Sequence, residues 1–223
     1  MKFFAVVLCA LVAVVSCEEF CYNDVVASCG SKADSDLEHC DARYGGVHSV
    51  AFHLQSYVND HIARSFDYLL MSTHFSNYQK NREGFSKLFR KLSDSTWDDA
   101  IDLIKYITKR GERMDFSARK GDAGVPDEKT HELFELHALA RGLDTQKKLA
   151  EEAHLIHKEA LKHHEGSHDP EVTSYLEEHF LHKQAENVRE FSGYTNDLKR
   201  LLAEPKQSSL ALFLFDEYLQ KKL

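Results

Sequence analysis

Five polar side chains interrupt what are otherwise apolar helical stripes: His61, Tyr68, Ser95, Asp99 and Gln184. Imidazole, phenol and carboxylate all ligate metals, and His61, Asp99 and Tyr68 together could hold a single metal ion. The same groups could instead close on one another as an ion pair or hydrogen-bonded network, because a charge left alone in a core is costly. A second pattern lies on another face, where Asp94, Asp98 and Asp102 recur every four residues between Lys91 and Lys105. Its carboxylate oxygens suit a hard cation, although an acidic helix face is more often simply solvated. His154 and His157 stand at i, i+3, close enough to share a metal. Spacing fixes no third ligand there, and surface histidines titrating near about pH 6.5 fit better. No nucleophile elbow, phosphate-binding loop or dinucleotide fingerprint occurs.

Such side chains need rigid elements to bring them to one level. Prolines and glycines are absent from residues 47–83, 85–110, 143–165 and 171–192. Pieces of that length with helical periodicity predict helices, since strands are usually far shorter. The first carries Leu54, Tyr57, Tyr68, Met71 and Phe75 at three- and four-residue steps, and the second carries Phe85, Leu88, Phe89, Leu92, Leu103, Ile104 and Ile107. Leu149, Ala153, Ile156 and Ala160 mark the third; Leu176, Phe180, Val188, Phe191 and Leu198 mark the fourth. Short turns near Gly84 and from Gly166 to Pro170 predict antiparallel neighbours, whereas polar Ser117 to Thr130 is long enough to travel a bundle's length. After Pro205, the run SSLALFLFDEYLQ predicts a short apolar helix that buries itself against other subunits. The expected fold class is all-α, a four-helix bundle with one long crossover and a short C-terminal fifth helix. Projected through it, His61 and Tyr68 face inward from the first helix, Ser95 and Asp99 from the second and Gln184 from the fourth. The third offers only Ala150 near mid-length.

The chain opens with Lys2, an uncharged run from Phe3 to Val15, and small residues suited to cleavage after Ser16 or Cys17, which together read as a secretory signal peptide. No other apolar run reaches the about 18 residues that a membrane span needs, so no membrane insertion is expected. A formal charge of −8 argues against nucleic acid and anionic membranes as partners. Secretion permits disulfides, and Cys21, Cys29 and Cys40 lie close together. Cleavage after Cys17 leaves an odd number of cysteines, which suggests one bridge to another chain; cleavage after Ser16 weakens that inference. There is no Asn-x-Ser/Thr sequon.

The segments FDYLLMSTHF, FSKLFRKLSD, ITKRG, DPEVTSYLEEHFLHKQ and ALFLFDEYLQ resemble ferritin across nearly the whole mature chain. The leader and the extension beginning CYNDV look like the light-chain subunit of secreted insect ferritins. The resemblance implies a leader over 1–17, a cysteine-bearing extension over 18–46 and a ferritin-like domain over 47–223. It implies iron as the stored substance, held as ferric mineral in a twenty-four-subunit shell shared with a heavy-type subunit.

Ferritin-like di-iron sites need glutamates from separate helices plus Glu-x-x-His, because two hard ions take several carboxylate oxygens and an imidazole. By that resemblance His61 stands where the first-helix glutamate would be, while Tyr68 is retained. Ser95 replaces the second-helix glutamate, and Thr96-Trp97-Asp98-Asp99 stands for Glu-x-x-His with Asp99 at the histidine. Ala150 replaces the third-helix glutamate, or Glu151 does if the alignment slips by one residue, and Gln184 matches the family's glutamine. One inward carboxylate cannot hold two irons, so no ferroxidase centre and no catalytic residue are expected. An ion pair between His61 and Asp99 would then seal the level. Asp94 and Asp98 align with carboxylates that nucleate mineral on the cavity side. Glu177 matches an acidic residue of the family's iron entry channel, with Thr173 and Ser174 where Cys and Asp would stand. Cys21, Cys29 and Cys40 would form bridges within and between chains. Two further readings stay open: a secreted helical binding module, cytokine-like or lipid-carrying, and a subunit that oxidises iron by itself.

Overall fold

The computed structural model describes residues 40–118, 134–162, 168–204 and 207–223, together with Cys21 and Val25. It divides into Met1–Ala42 and Arg43–Leu223. Within the first unit Cys21 and Cys40 form a disulfide, their Cα atoms 4.5 Å apart. The leader, Cys29 and most of the expected crossover lie outside the described residues.

In the second unit every regular element is helical among the described residues. Helix α1 spans Val47–Phe75, α2 Glu83–Lys109 and α3 Glu135–Ala160. A fourth rod is built from α4 (Pro170–Leu176), a π-helical turn (Glu177–Leu181) and α5 (His182–Leu201), and α6 (Ser208–Lys222) closes the chain. Helix α1 packs on α2 and α3, α3 on the fourth rod, and α6 on α2 and α5. Asn81, at φ 48°, turns the chain between α1 and α2; asparagine tolerates this left-handed geometry better than most residues.

The crossover is visible in its two described ends. After α2 the chain runs beside α1, where Gln55 donates to the Arg113 carbonyl and Asn59 donates to the carbonyls of Asp115 and Ala118. It re-enters at α3 beside the opposite end of the bundle, where Arg82 Nε lies 3.3 Å from Glu135 Oε1. Helices α2 and α3 therefore run parallel.

Arg110, at the end of α2, is only 2% exposed. It donates to Asp169 Oδ2 at 2.8 Å, to Glu171 and to the Tyr44 carbonyl, and its guanidinium lies over the Tyr44 ring. Asp169 in turn caps α4, accepting from the amides of Glu171 and Val172. This cluster joins the start of α1, the end of α2 and the start of the fourth rod.

Three expected boundaries are corrected. Helix α3 starts at Glu135 and passes through Gly142, because a Cβ there would meet the Phe191 ring at 2.7 Å: the glycine is kept for close packing, not for a break. Gly84 lies in the first turn of α2, where a Cβ would meet the Asp216 carbonyl of α6 at 2.2 Å, and Asp216 Oδ1 accepts from the Phe85 amide. The fourth rod continues past Gly193 to Leu201, beyond the Gly/Pro-free piece. Helix α6 buries Ala211, Phe215 and Leu219 against its own chain, yet Leu210, Phe213, Leu214 and Tyr218 stay exposed. The expected burial against other subunits can thus concern one face only.

Two apolar clusters fill the bundle. One gathers Leu54, Tyr57, Leu103, Ile107, Ile156 and Phe180; the other gathers Tyr68, Phe75, Phe89, Leu139, Phe191 and Phe215. Between them His61, Ser65, Ser93, Thr96, Gln146 and Gln184 are buried, a polar belt across the middle.

Candidate functional site

The belt is built from all four rods. On α1, His61 is fully buried, and its Nδ1 lies 2.8 Å from the Tyr57 carbonyl. A carbonyl only accepts, so Nδ1 carries the proton and Nε2 presents a lone pair. Nε2 has no hydrogen-bond partner among the described residues. The rings of Tyr57 and Phe180 meet the imidazole edge-on at 4.3 Å and 5.8 Å. Burial pushes the His61 pKa down to about 4, with the nearby Lys183 charge acting in the same direction, so the ring is neutral. Tyr57 donates to the Leu149 carbonyl on α3 at 3.1 Å, and the Gln184 side chain sits beside its hydroxyl. Gln184 Oε1 is buried without a partner among the described residues.

Tyr68 belongs to a different network. Its hydroxyl accepts from Gln146 Nε2 at 3.0 Å, and Gln146 Oε1 accepts from Asn187 Nδ2 at 3.2 Å, linking α1, α3 and α5. Burial raises the Tyr68 phenol well above its ordinary range. Gln146 and Asn187 were not among the residues expected at the belt. Stepping back three positions from Leu149 along the α3 stripe would have found Gln146. Ala150 is only half-buried and Glu151 is exposed, so the polar group that α3 sends inward is Gln146.

On α2 the inward register differs from the expected one. Ser93, Thr96 and Ala100 are buried, while Ser95 and Asp99 are intermediate. From Leu92 a helical stripe can proceed through 95 and 99 or through 96 and 100. The close α1/α2 seam selects the second, whose hydroxyls satisfy themselves on backbone: Ser93 donates to the Ser65 carbonyl and Thr96 to the Leu92 carbonyl. Asp99 turns instead to the fourth rod, where Lys183 Nζ donates to its Oδ1 at 2.6 Å. Burial raises the Asp99 carboxyl above its ordinary range even with this partner. The expected His61–Asp99 pair is therefore corrected to Lys183–Asp99. A metal shared by His61, Asp99 and Tyr68 is corrected too: Tyr68 is bonded to Gln146 and Asp99 to Lys183, which places them in separate networks.

Outside the belt, Asp94 pairs with Arg90 at 2.9 Å and Asp102 with Lys105 at 3.1 Å, while Asp98 is exposed. Glu177, in the π-helical turn, is exposed and lies 2.7 Å from His157 Nε2 on α3. His157 thus meets Glu177, and His154 is exposed one turn away. Thr173 is buried and Ser174 exposed beside Glu177. A pocket of about 730 Å³ opens between α2 and the fourth rod, with Asp99 and Lys183 on its wall and the stacked rings of Tyr106 and Tyr175, 3.8 Å apart, at its side.

As a donor set, the six positions compared with a di-iron centre supply one imidazole, one phenol, one hydroxyl, one amide and one carboxylate, and that carboxylate is already neutralised by Lys183. This does not fit a pair of hard trivalent or divalent ions, which take several carboxylate oxygens.

Comparison with known proteins bears on the same residues. Residues 52–201 match the ferritin family, described as a ferritin-like domain. The chain is 46% identical over 228 residues to the ferritin light chain of Drosophila melanogaster, covering all of both chains. It is 49% identical over 207 residues to the ferritin light chain of Trichoplusia ni, covering 90% of each. Identity falls to 29% over 162 residues against the ferritin heavy chain of Papilio xuthus, covering 73% of this chain and 75% of that one. The crystal structure of Trichoplusia ni secreted ferritin superposes with a TM-score of 0.86 at 48% identity, covering 92% of this chain and all of the other.

Proposed function

The chain belongs to the ferritin family, and from that premise we propose that it is the light-type, non-oxidising subunit of a secreted iron-storage shell. In this reading it co-assembles with a heavy-type subunit in a twenty-four-subunit shell, and the partner supplies iron oxidation. Its own contributions are shell architecture and a surface on which ferric mineral grows, with Asp94 and Asp98 as the carboxylates offered.

The observation that carries the reading is the belt's donor set. The level where the family oxidises iron holds a neutral imidazole, an amide and a carboxylate bonded to a lysine ammonium. Support for the family role comes from the light-chain names of the two relatives at 46% and 49% identity. Secretion accords with the Lys2-to-Val15 leader and with the likeness to the secreted ferritin of Trichoplusia ni. Among the described residues no helix is long and apolar enough to cross a membrane. Glu177 is the acidic residue proposed for iron entry. With Cys21 and Cys40 joined to each other, Cys29 is the cysteine proposed for a bridge to another chain.

Size-exclusion chromatography of native material with iron analysis tests this reading. A large, iron-bearing particle containing both subunit types is expected. A small iron-free particle would instead favour a secreted binding module and defeat the proposal.

A further inference from the structure

Tyr106 on α2 and Tyr175 on α4 lie face to face on the wall of the pocket between α2 and the fourth rod, centroids 3.8 Å apart and planes 6° from parallel. Aromatic pairs usually settle with centroids about 4.5–7 Å apart, so this overlap is close. The Tyr106 ring is buried, whereas Tyr175 is half-buried and meets the pocket. The Tyr106 hydroxyl donates to Glu171 Oε2 at 2.5 Å, the length of a strong, charge-assisted bond. The Glu171 side chain is 43% exposed, so a proton it takes can pass on to solvent. Arg110 donates to the Tyr106 oxygen and to Glu171, which holds that carboxylate in place.

A phenol that loses an electron becomes a very strong acid, so its oxidation is easiest where a base already stands in hydrogen-bond contact. A second electron-rich ring stacked on the first shares the electron deficiency. Tyr106 has both. Among the described tyrosines Tyr194 also donates to a carboxylate, Glu190 at 2.8 Å, but Lys222 sits over its ring at 4.6 Å. A cation on the ring face opposes removal of an electron from it.

We propose that Tyr106 is a one-electron donor that quenches oxidising radicals at this pocket, with Tyr175 as the ring that meets the oxidant and shares the hole, and Glu171 as the proton acceptor. The oxidant is of the hydroxyl-radical class, formed where ferrous iron meets hydrogen peroxide. One electron passes from the pair to the hydroxyl radical, giving hydroxide. The phenolic proton of Tyr106 passes to Glu171 and through solvent to that hydroxide, giving water and a neutral tyrosyl radical. Ferrous iron then returns one electron, a proton comes back through Glu171, and the products are ferric iron and the restored phenol. The sum consumes one hydroxyl radical, one ferrous ion and one proton and yields water and ferric iron, the form that a storage shell keeps. For its ferrous iron the inference rests on the storage reading. Asp102, one turn past Asp98 in the row proposed for mineral growth, lines the same pocket. Neither Tyr106 nor Tyr175 is one of the positions compared with a di-iron centre.

The test uses the purified, iron-free full chain and azide radical, a selective one-electron oxidant made by pulse radiolysis, with the tyrosyl radical read by its absorption band. The native chain is expected to hold a long-lived band, because surface radicals couple and decay while a buried one does not. Tyr106→Phe, which keeps the ring and the stack, is expected to lose most of it. Glu171→Gln, which keeps the shape but cannot take the proton, is expected to lose most of it too. Tyr68→Phe, Tyr78→Phe and Tyr194→Phe are expected to leave it unchanged, and ferrous iron mixed in afterwards to discharge it. Circular dichroism checks the fold of each variant, and Glu171→Gln decides if Tyr106→Phe does not fold. The proposal is overturned if the native chain holds no such band, if the band survives in folded Tyr106→Phe or Glu171→Gln, if it follows Tyr68, Tyr78 or Tyr194 instead, or if ferrous iron leaves it untouched. Particle size, iron content and oxygen uptake, which test the storage reading, do not enter this measurement, so the two can fail independently.

Discussion

His61 Nδ1 donates to the Tyr57 carbonyl one helical turn earlier, at 2.8 Å, and this single bond sets the tautomer at the bundle's centre. It fixes the tautomer and faces Nε2 into the belt, while burial, working against the pull of this same bond, keeps the ring neutral down to about pH 4.

The pH dependence follows from that shift. An unfolded histidine takes up a proton near pH 6.5, about where model peptides do, whereas the folded ring resists until about 4. The unfolded state therefore binds more protons across this window, and stability rises with pH through it. His61's favourable share is complete above about pH 6.5 and is lost as pH falls toward 4, by on the order of 3 kcal/mol at most. Thermal melts at matched subunit concentration should show a steeper acid decline for the native chain than for His61→Phe. Equal slopes in the two would refute the neutral, buried assignment.

Arg110 and Asp169 give the opposite construction, a buried pair that is strongly bonded. Burial works against the Asp169 carboxylate, but the Arg110 guanidinium and two amides hold it below the usual carboxylate range. Stability from Asp169 is accordingly present above about pH 4, its unfolded value, and lost as pH falls through its lower folded value. Arg110→Met strands the carboxylate and should destabilise by about 3–5 kcal/mol, while Arg110→Met with Asp169→Asn should recover part of that loss. Chemical denaturation that shows the double variant no better than the single one would contradict the pairing.

Gln146 ties Tyr68 to Asn187. Replacing it by leucine takes this partner from a buried phenol and a half-buried amide and should cost about 1–3 kcal/mol, read by denaturant unfolding. A neutral result would mean that water satisfies both groups.

Gly142→Val tests the close approach of α3 to the fourth rod. Its side chain has to enter space held by the Phe191 ring, so about 1–3 kcal/mol of destabilisation is expected, with relief from Phe191→Leu on the same background. Unchanged stability in the valine variant would show that the helices separate freely.

The helices themselves were legible because glycine and proline leave long periodic pieces, and Leu54, Tyr57, Tyr68 and Phe75 are all buried where their spacing puts them. Gly142 and Gly84 misled because a glycine inside a helix reads as a break, whereas here the missing Cβ admits a ring or a backbone from a neighbouring helix. Helix α2 misled at one step: Leu92 to Ser95 and Leu92 to Thr96 both satisfy the helical period, and only the tight α1 seam decides between them. His61 and Gln184 were readable as polar interruptions of apolar stripes. Lys183 was not, since a lysine beside such a stripe looks like any surface lysine until the other helix supplies Asp99.

The most direct measurement of the central claim is oxygen consumption when ferrous iron is added to the homogeneous full-length subunit, compared with the same subunit assembled with a heavy-type partner. The account predicts no uptake above the buffer rate for the subunit alone and rapid uptake for the mixed shell. Uptake by the homogeneous subunit, abolished by His61→Phe, would contradict it.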